Sequence, residues 1–300
     1  MAPTFGDEEK ALLSIVSAVS ASLSLAGAVL LICILLTRFL HRRAQMERQS
    51  DRSSSIILGW LLVIAVCDAL YAFFGILLID LLGAAGVERE HGWLCALQGV
   101  GMDMFPTACN YATFWLSLHT WRTWLHVVSP IASSEHSCIR WLLDLRLQGV
   151  IMLSVSIFSG IVPLFDTSFA RYEYSDTWCW IGGRYKAARQ ALFYGHIIAI
   201  FIVILGLYAH VLLVHARNTL RFEEPSLQGE DPSGARLAKA RRVMGMARHF
   251  LRYPVGFLII WAPGIFNRLY ETSHEPLYAT TLLQAITAPS QGTVRLLVAR

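Results

Sequence analysis

The sequence predicts an all-α membrane protein, a bundle of seven transmembrane helices with its N-terminus outside. Three observations predict it. Of 300 residues, 55% are hydrophobic and only 15% charged, a balance too apolar for soluble domains. Seven apolar runs recur along the chain, each about 18 residues or longer, which is enough to cross a bilayer core. Basic residues, nearly all Arg, gather in alternate connections, and the positive-inside rule assigns those connections to the cytoplasm. The net charge of +4 is small and confined to loops, so nothing suggests a nucleic-acid partner.

The first span, 11–36, follows Asp7, Glu8 and Glu9. Acidic flanks and a long apolar run make it a span and not a cleaved signal, with residues 1–10 as the outer N-terminus. The second, 56–82, carries Asp68 among Val66, Cys67, Ala69 and Leu70. An ionisable group at that depth is either part of a functional network or held by an interhelical hydrogen bond.

The third span, 95–124, is the post around which the others are arranged. It is apolar enough to cross, yet carries Gln98, Asp103, Asn110, Ser117 and His119 along its length. A carboxyl group in hydrocarbon costs ~3 kcal/mol on insertion scales, so this helix faces other helices. The fourth span, 147–165, is short and rich in Ser; the fifth is 191–215. The sixth, 247–270, contains Pro254 and Pro263, with Trp261 two residues before the second. Each proline removes a backbone donor and loosens the helix, which makes this span the natural pivot. The seventh is 277–298.

Orientation follows from Arg. The first connection holds Arg38, Arg42, Arg43, Arg48 and Arg52, and the region from 216 to 248 holds Arg217, Arg221, Arg236, Lys239, Arg241, Arg242 and Arg248. Arg122, Arg140, Arg146, Arg295 and Arg300 fall on the same side, while Arg171, Arg184, Lys186 and Arg189 oppose them in the outer loop 166–190. The balance puts the N-terminus outside and the third loop, 216–246, in the cytoplasm. Within it, 223–234 is rich in Pro, Gly and acidic residues and reads as disordered, whereas 235–250 reads as a basic amphipathic helix continuing the sixth span.

Cysteine chemistry gives an independent expectation. Cys33, Cys67 and Cys109 fall inside spans and Cys138 in a cytoplasmic loop, leaving Cys95 and Cys179 as the pair on the oxidising side. They are predicted to form a disulfide, which folds the outer loop, with Trp178 and Trp180, over the mouth of the bundle.

Seven spans, an outer N-terminus and this tie resemble a G-protein-coupled receptor. Four stretches narrow the resemblance: Cys95-Ala-Leu-Gln98-Gly99, Asp176-Thr-Trp178-Cys179-Trp180-Ile181, Trp261-Ala-Pro263-Gly-Ile-Phe-Asn267-Arg268, and Pro289-Ser-Gln291-Gly292. They are similar to the slime-mould cyclic-AMP receptor family and its fungal relatives; Thr293-Val294-Arg295 departs from that family's Asn-containing ending. The resemblance implies a multi-pass plasma-membrane receptor that senses an extracellular small molecule, a cyclic nucleotide or a nutrient, and activates a heterotrimeric G protein as the sixth helix swings outward. It assigns Gln98, Asp103, Trp178, Trp180 and Trp261 to ligand binding. Asp68, Asn110, Pro263 and Asn267 form the activation network, and Arg122, Lys239, Arg241 and Arg242 contact the G protein. Plainer readings stand beside these: packing for Trp261, an interhelical hydrogen bond for Asp68, and attraction to anionic lipid for the inner cations, while Arg171, Arg184, Lys186 and Arg189 could attract an anionic ligand or simply serve solubility.

Rival classes are weaker. A retinal protein needs a Lys in its last span, and 277–298 has none. A seven-helix transporter or channel is the alternative, but no internal repeat is evident. Catalysis, a cofactor and a metal site are not expected: there is no Cys/His metal spacing, no nucleophile elbow and no phosphate loop, and His196, His210 and His215 lack a carboxylate at helical spacing.

Overall fold

The computed structural model describes residues 6–45, 52–78, 92–128, 144–165, 168–175, 178–257 in part (178–222 and 256–257), 259–267, 270 and 277–299. Its helices are α1 (Asp7–Gln45), α2 (Arg52–Leu70, continued by a π turn, Tyr71–Leu77) and α3 (Gly92–Val128). Next come α4 (Leu145–Ile161, then a 3-10 turn, Val162–Phe165) and α5, a continuous rod of Lys186–Arg189, a π turn Gln190–Tyr194 and Gly195–Phe222. The stretch 259–267 is helical and is called α6. The chain ends in α7 (Tyr278–Thr287) and α8 (Gln291–Ala299), separated by a turn at 288–290 that contains Pro289.

Four of these, Asp7–His41, Ile56–Leu77, Leu145–Phe165 and Lys186–Val214, are long and apolar enough to cross a membrane. At 37 residues α3 is long enough too, but it is not among the four because its polar side chains lower its hydropathy. The distribution of side chains is that of a membrane bundle. Leu12, Ile15, Val19 and Leu23 on α1, Val150, Leu153 and Ile157 on α4, and Ile202, Val203 and Leu213 on α5 are exposed. Asp68, Asp103, Asn110, Gln148, Gln291 and Arg295 are buried. Water would favour the reverse arrangement; lipid favours this one.

The central position of the third span is visible in the packing, since α3 lies against α2, α4, α5 and both strands of a hairpin, while α1 packs on α2, α7 and α8. Two glycines permit close approaches. A Cβ on Gly99 would lie 2.3 Å from the Tyr172 ring, and one on Gly292 would lie 2.3 Å from the Ser24 carbonyl oxygen. Gly292 therefore lets α8 press against α1, where its N–H donates to Ser24 Oγ at 2.8 Å.

One element departs from the all-helical expectation. The outer loop forms an antiparallel hairpin, β1 (Tyr172–Ser175) and β2 (Trp178–Ile181), with Tyr174 opposite Cys179. In this register Tyr172 and Ile181 share one face of the hairpin and Trp180 the other, and all three are buried, so both faces of the hairpin are covered. The basic segment 235–250, the acidic stretch 223–234, Pro254 and Cys138 lie outside the described residues.

Candidate functional site

Cys95 and Cys179 are bonded, with Cα atoms 5.0 Å apart. The bond ties β2 to the top of α3, and Gln98, one turn further along, strengthens the joint. Its Oε1 accepts from Cys179 N–H at 2.7 Å, and its Nε2 donates to Gly75 O at 3.0 Å. Gly75 lies in the π turn of α2. Such a turn shifts the carbonyl register, a common device at functional sites. Gln98 thus joins α2, α3 and the hairpin, and both ends of its amide are occupied.

Below this joint, Asp103 is completely buried. Its Oδ1 accepts from the Trp180 indole N–H, and its Oδ2 from the Tyr172 hydroxyl at 3.0 Å. That hydroxyl also lies 2.9 Å from Gly160 O, so one proton is shared between α3 and α4. Burial, and then the charge of Asp103, push the Tyr172 hydroxyl above its ordinary pKa, which keeps it protonated and donating. Gly99, at the α3 surface, leaves the space that the Tyr172 ring fills.

From Trp180 an aromatic chain runs across the bundle. Its ring is 5.6 Å from both Phe193 and Tyr194, and Phe193 is 5.5 Å from Trp261 on α6. The π turn of α5 supplies both Phe193 and Tyr194. Asp103, Trp180 and Trp261, all expected at the ligand, are therefore packed inside the structure. Gln98 and Trp178 lie elsewhere: with Ser17, Tyr71, Gln284 and Pro289 they line a cavity of ≈ 40 Å³ between α1, α2, α3, β2 and α7.

The expected activation residues fall in two places. Asn267 on α6 accepts from Thr280 Oγ1 at 2.6 Å and donates to Thr281 Oγ1 and Gln284 Oε1 at 3.4 and 3.3 Å, joining α6 to α7. Pro263 lies between it and Trp261 in α6. Asp68 is paired with Arg295, whose Nη1 is 3.1 and 3.0 Å from the two carboxylate oxygens. Cys109 Sγ donates to Asp68 Oδ1 at 3.2 Å and accepts from Arg295. Arg295, counted above with the cytoplasmic cations, is instead 5% exposed inside the bundle. An arginine four residues after Gln291 presents the same helix face, and that face is interior; this spacing was the available signal. Asn110 and Gln291 are buried, and neither amide has a hydrogen-bond partner among the described residues.

The remaining cations are accounted for differently. Arg184 pairs with Glu173 at 2.7 Å and lies over the Tyr185 ring. Arg189 donates to Ile181 O at 2.7 Å and covers Trp180. Arg122 is half-buried on α3, while Lys239, Arg241 and Arg242 lie outside the described residues. His196 and His210 are each hydrogen-bonded to α3, at 3.2 Å to Tyr111 and Trp121 respectively. Among the described residues no cluster of His, Cys, Asp or Glu could hold a metal ion.

Against known families, residues 146–294 match the model described as slime mold cyclic AMP receptor. The match includes the hairpin, α5, α6, α7 and the Pro289–Gly292 run, but not Cys95–Gly99. No curated protein matches the chain. With helices long and apolar enough to cross a membrane, a disulfide between Cys95 and Cys179, and the match over 146–294, this part of the chain is similar to the slime mold cyclic AMP receptors, which are a receptor family and not an enzyme family.

Proposed function

We propose that this chain is a plasma-membrane G-protein-coupled receptor that senses an extracellular small molecule. The observation that carries the reading is the unbroken contact from the disulfide-tied hairpin to α6: Asp103, Trp180, Phe193, Trp261. A second contact runs from the cavity through Gln284 to Asn267, also on α6. A ligand that shifts the hairpin or Gln284 alters what holds α6, and Pro263 lets that helix pivot rather than stretch. The agonist binds the arrangement with α6 swung outward better than the closed one, and the difference in affinity sets the signal. Arg122 and the basic Lys239, Arg241 and Arg242 meet the G protein on the cytoplasmic side. Asp68, with Arg295, keeps the second and last helices together in the closed arrangement.

The test is nucleotide exchange on purified heterotrimeric G protein. Trp261→Ala should change basal exchange about fivefold or more, the lower range of allosteric couplings, with receptor still reaching the cell surface. Trp261→Phe, which opens a smaller cavity, should shift it less in the same direction. Unchanged exchange in both, with normal surface receptor, would reduce Trp261 to packing.

A further inference from the structure

The cavity beside Gln98 differs from the rest of the outer half in having no charged side chain among its lining residues. Tyr71 and Ser17, both buried, line it, and neither hydroxyl is held by a hydrogen bond among the described residues. Gln284 contributes an amide whose oxygen is bound to Asn267. The volume of ≈ 40 Å³ holds about three waters, or a group of three or so heavy atoms. Among the described residues no basic side chain lines the cavity, and Lys10, on α1 one turn before Ser14, is not among its lining. Arg184 is on Glu173, Arg189 is on Ile181 O and Trp180, and Arg171 and Lys186 are exposed.

From this we propose that the cavity between α1, α2, α3, β2 and α7 takes the uncharged, hydrogen-bonding head of a small ligand, of the hydroxyl or carboxamide class, and excludes a phosphate. The proposal deepens the receptor reading and rests on it. A phosphate seated there would lose its water without gaining a cation, and an ion desolvated without a partner is not retained. A neutral head exchanges water contacts for those of Tyr71, Ser17 and Gln284 at little loss. Occupying Gln284 is also what would reach Asn267 and α6.

The test places a thiol in the cavity and reads its reactivity, with no need to know the natural ligand. Ala285→Cys, in the full chain in detergent, is alkylated with neutral iodoacetamide and with anionic iodoacetate, two reagents of equal size that each leave a group of only four heavy atoms on the thiol. Each rate is normalised to that of free 2-mercaptoethanol and corrected for the unsubstituted chain. The neutral reagent should react about tenfold faster or more, reflecting the penalty for an unpaired anion, and excess cyclic AMP should leave its rate unchanged. Ser17→Cys should behave alike and serves if Ala285→Cys does not fold. Equal rates, protection by cyclic AMP, or no labelling of folded protein would each overturn the proposal. None of these outcomes touches G-protein exchange, so a failed cavity and a failed receptor are told apart.

Discussion

Asp68→Asn and Arg295→Met, made separately, should each abolish most of the folded protein, lowering stability by about 3–5 kcal/mol, the usual effect of leaving one member of a buried ion pair without the other. The pair is almost wholly removed from solvent, with side chains 1% and 6% exposed, and bilayer surrounds the bundle at this depth. Neither partner can turn to water when the other is lost. The double variant Asp68→Asn/Arg295→Met removes both charges and should recover most of the folded yield, since a neutral pair of similar volume is frequently as stable as the ion pair it replaces. Fluorescence-detected size exclusion after heating gives both numbers. A double variant no better than the worse single one would mean that the two side chains do not depend on each other. Cys109 accepts from Arg295 and donates to Asp68, so Cys109→Ala should cost much less than either charge.

Trp180→Phe and Tyr172→Phe should have the next largest effects. Trp180→Phe keeps a ring against Phe193 and Tyr194 but takes the indole N–H from Asp103; Tyr172→Phe takes the hydroxyl. Each leaves a buried carboxyl oxygen short of a donor, which costs about 1–3 kcal/mol. On an Asp103→Ala background both losses should shrink, because the acceptor is already gone. The pH dependence has a definite sign. The folded Tyr172 hydroxyl has its pKa raised, so its contribution is fully present below the unfolded value of about 10 and declines only above it. The loss of the Tyr172 contribution that comes from its own hydroxyl should therefore begin only above about pH 10. A parent-minus-Tyr172→Phe difference in stability that fell between about pH 8 and about pH 9 would contradict a raised Tyr172 hydroxyl.

These residues also show which parts of the site can be read from a sequence. Asp103 and Gln98 signal an interior helix because a polar group in an apolar run must be paid for by a partner. The cysteine pair follows from which side of the bilayer permits oxidation. Partner identity is another matter. Asp68 and Arg295 are 227 positions apart, and what unites them is the rotation of α8 about its axis, which hydropathy does not record. Near a chain end, a lone arginine looks like a flanking charge. The hairpin was hidden because four-residue strands carry too little periodicity, and the π turns at Tyr71–Leu77 and Gln190–Tyr194 leave apolar composition unchanged. Those turns nonetheless decide that Gly75 O meets Gln98 and that Phe193 and Tyr194 meet Trp180. The cavity's position on the α1, α2 and α7 side follows from the aromatic residues filling the α5 and α6 side, a consequence of packing alone.

The central claim is that the hairpin and the N-terminus face the extracellular side while the basic connections face the G protein. The direct measurement is antibody labelling of an N-terminal and a C-terminal tag on intact and permeabilised cells. The account predicts that the N-terminal tag is labelled on intact cells and the C-terminal tag only after permeabilisation. The opposite pattern would place Cys95, Cys179 and the cavity in the cytosol, and an extracellular ligand could not reach them.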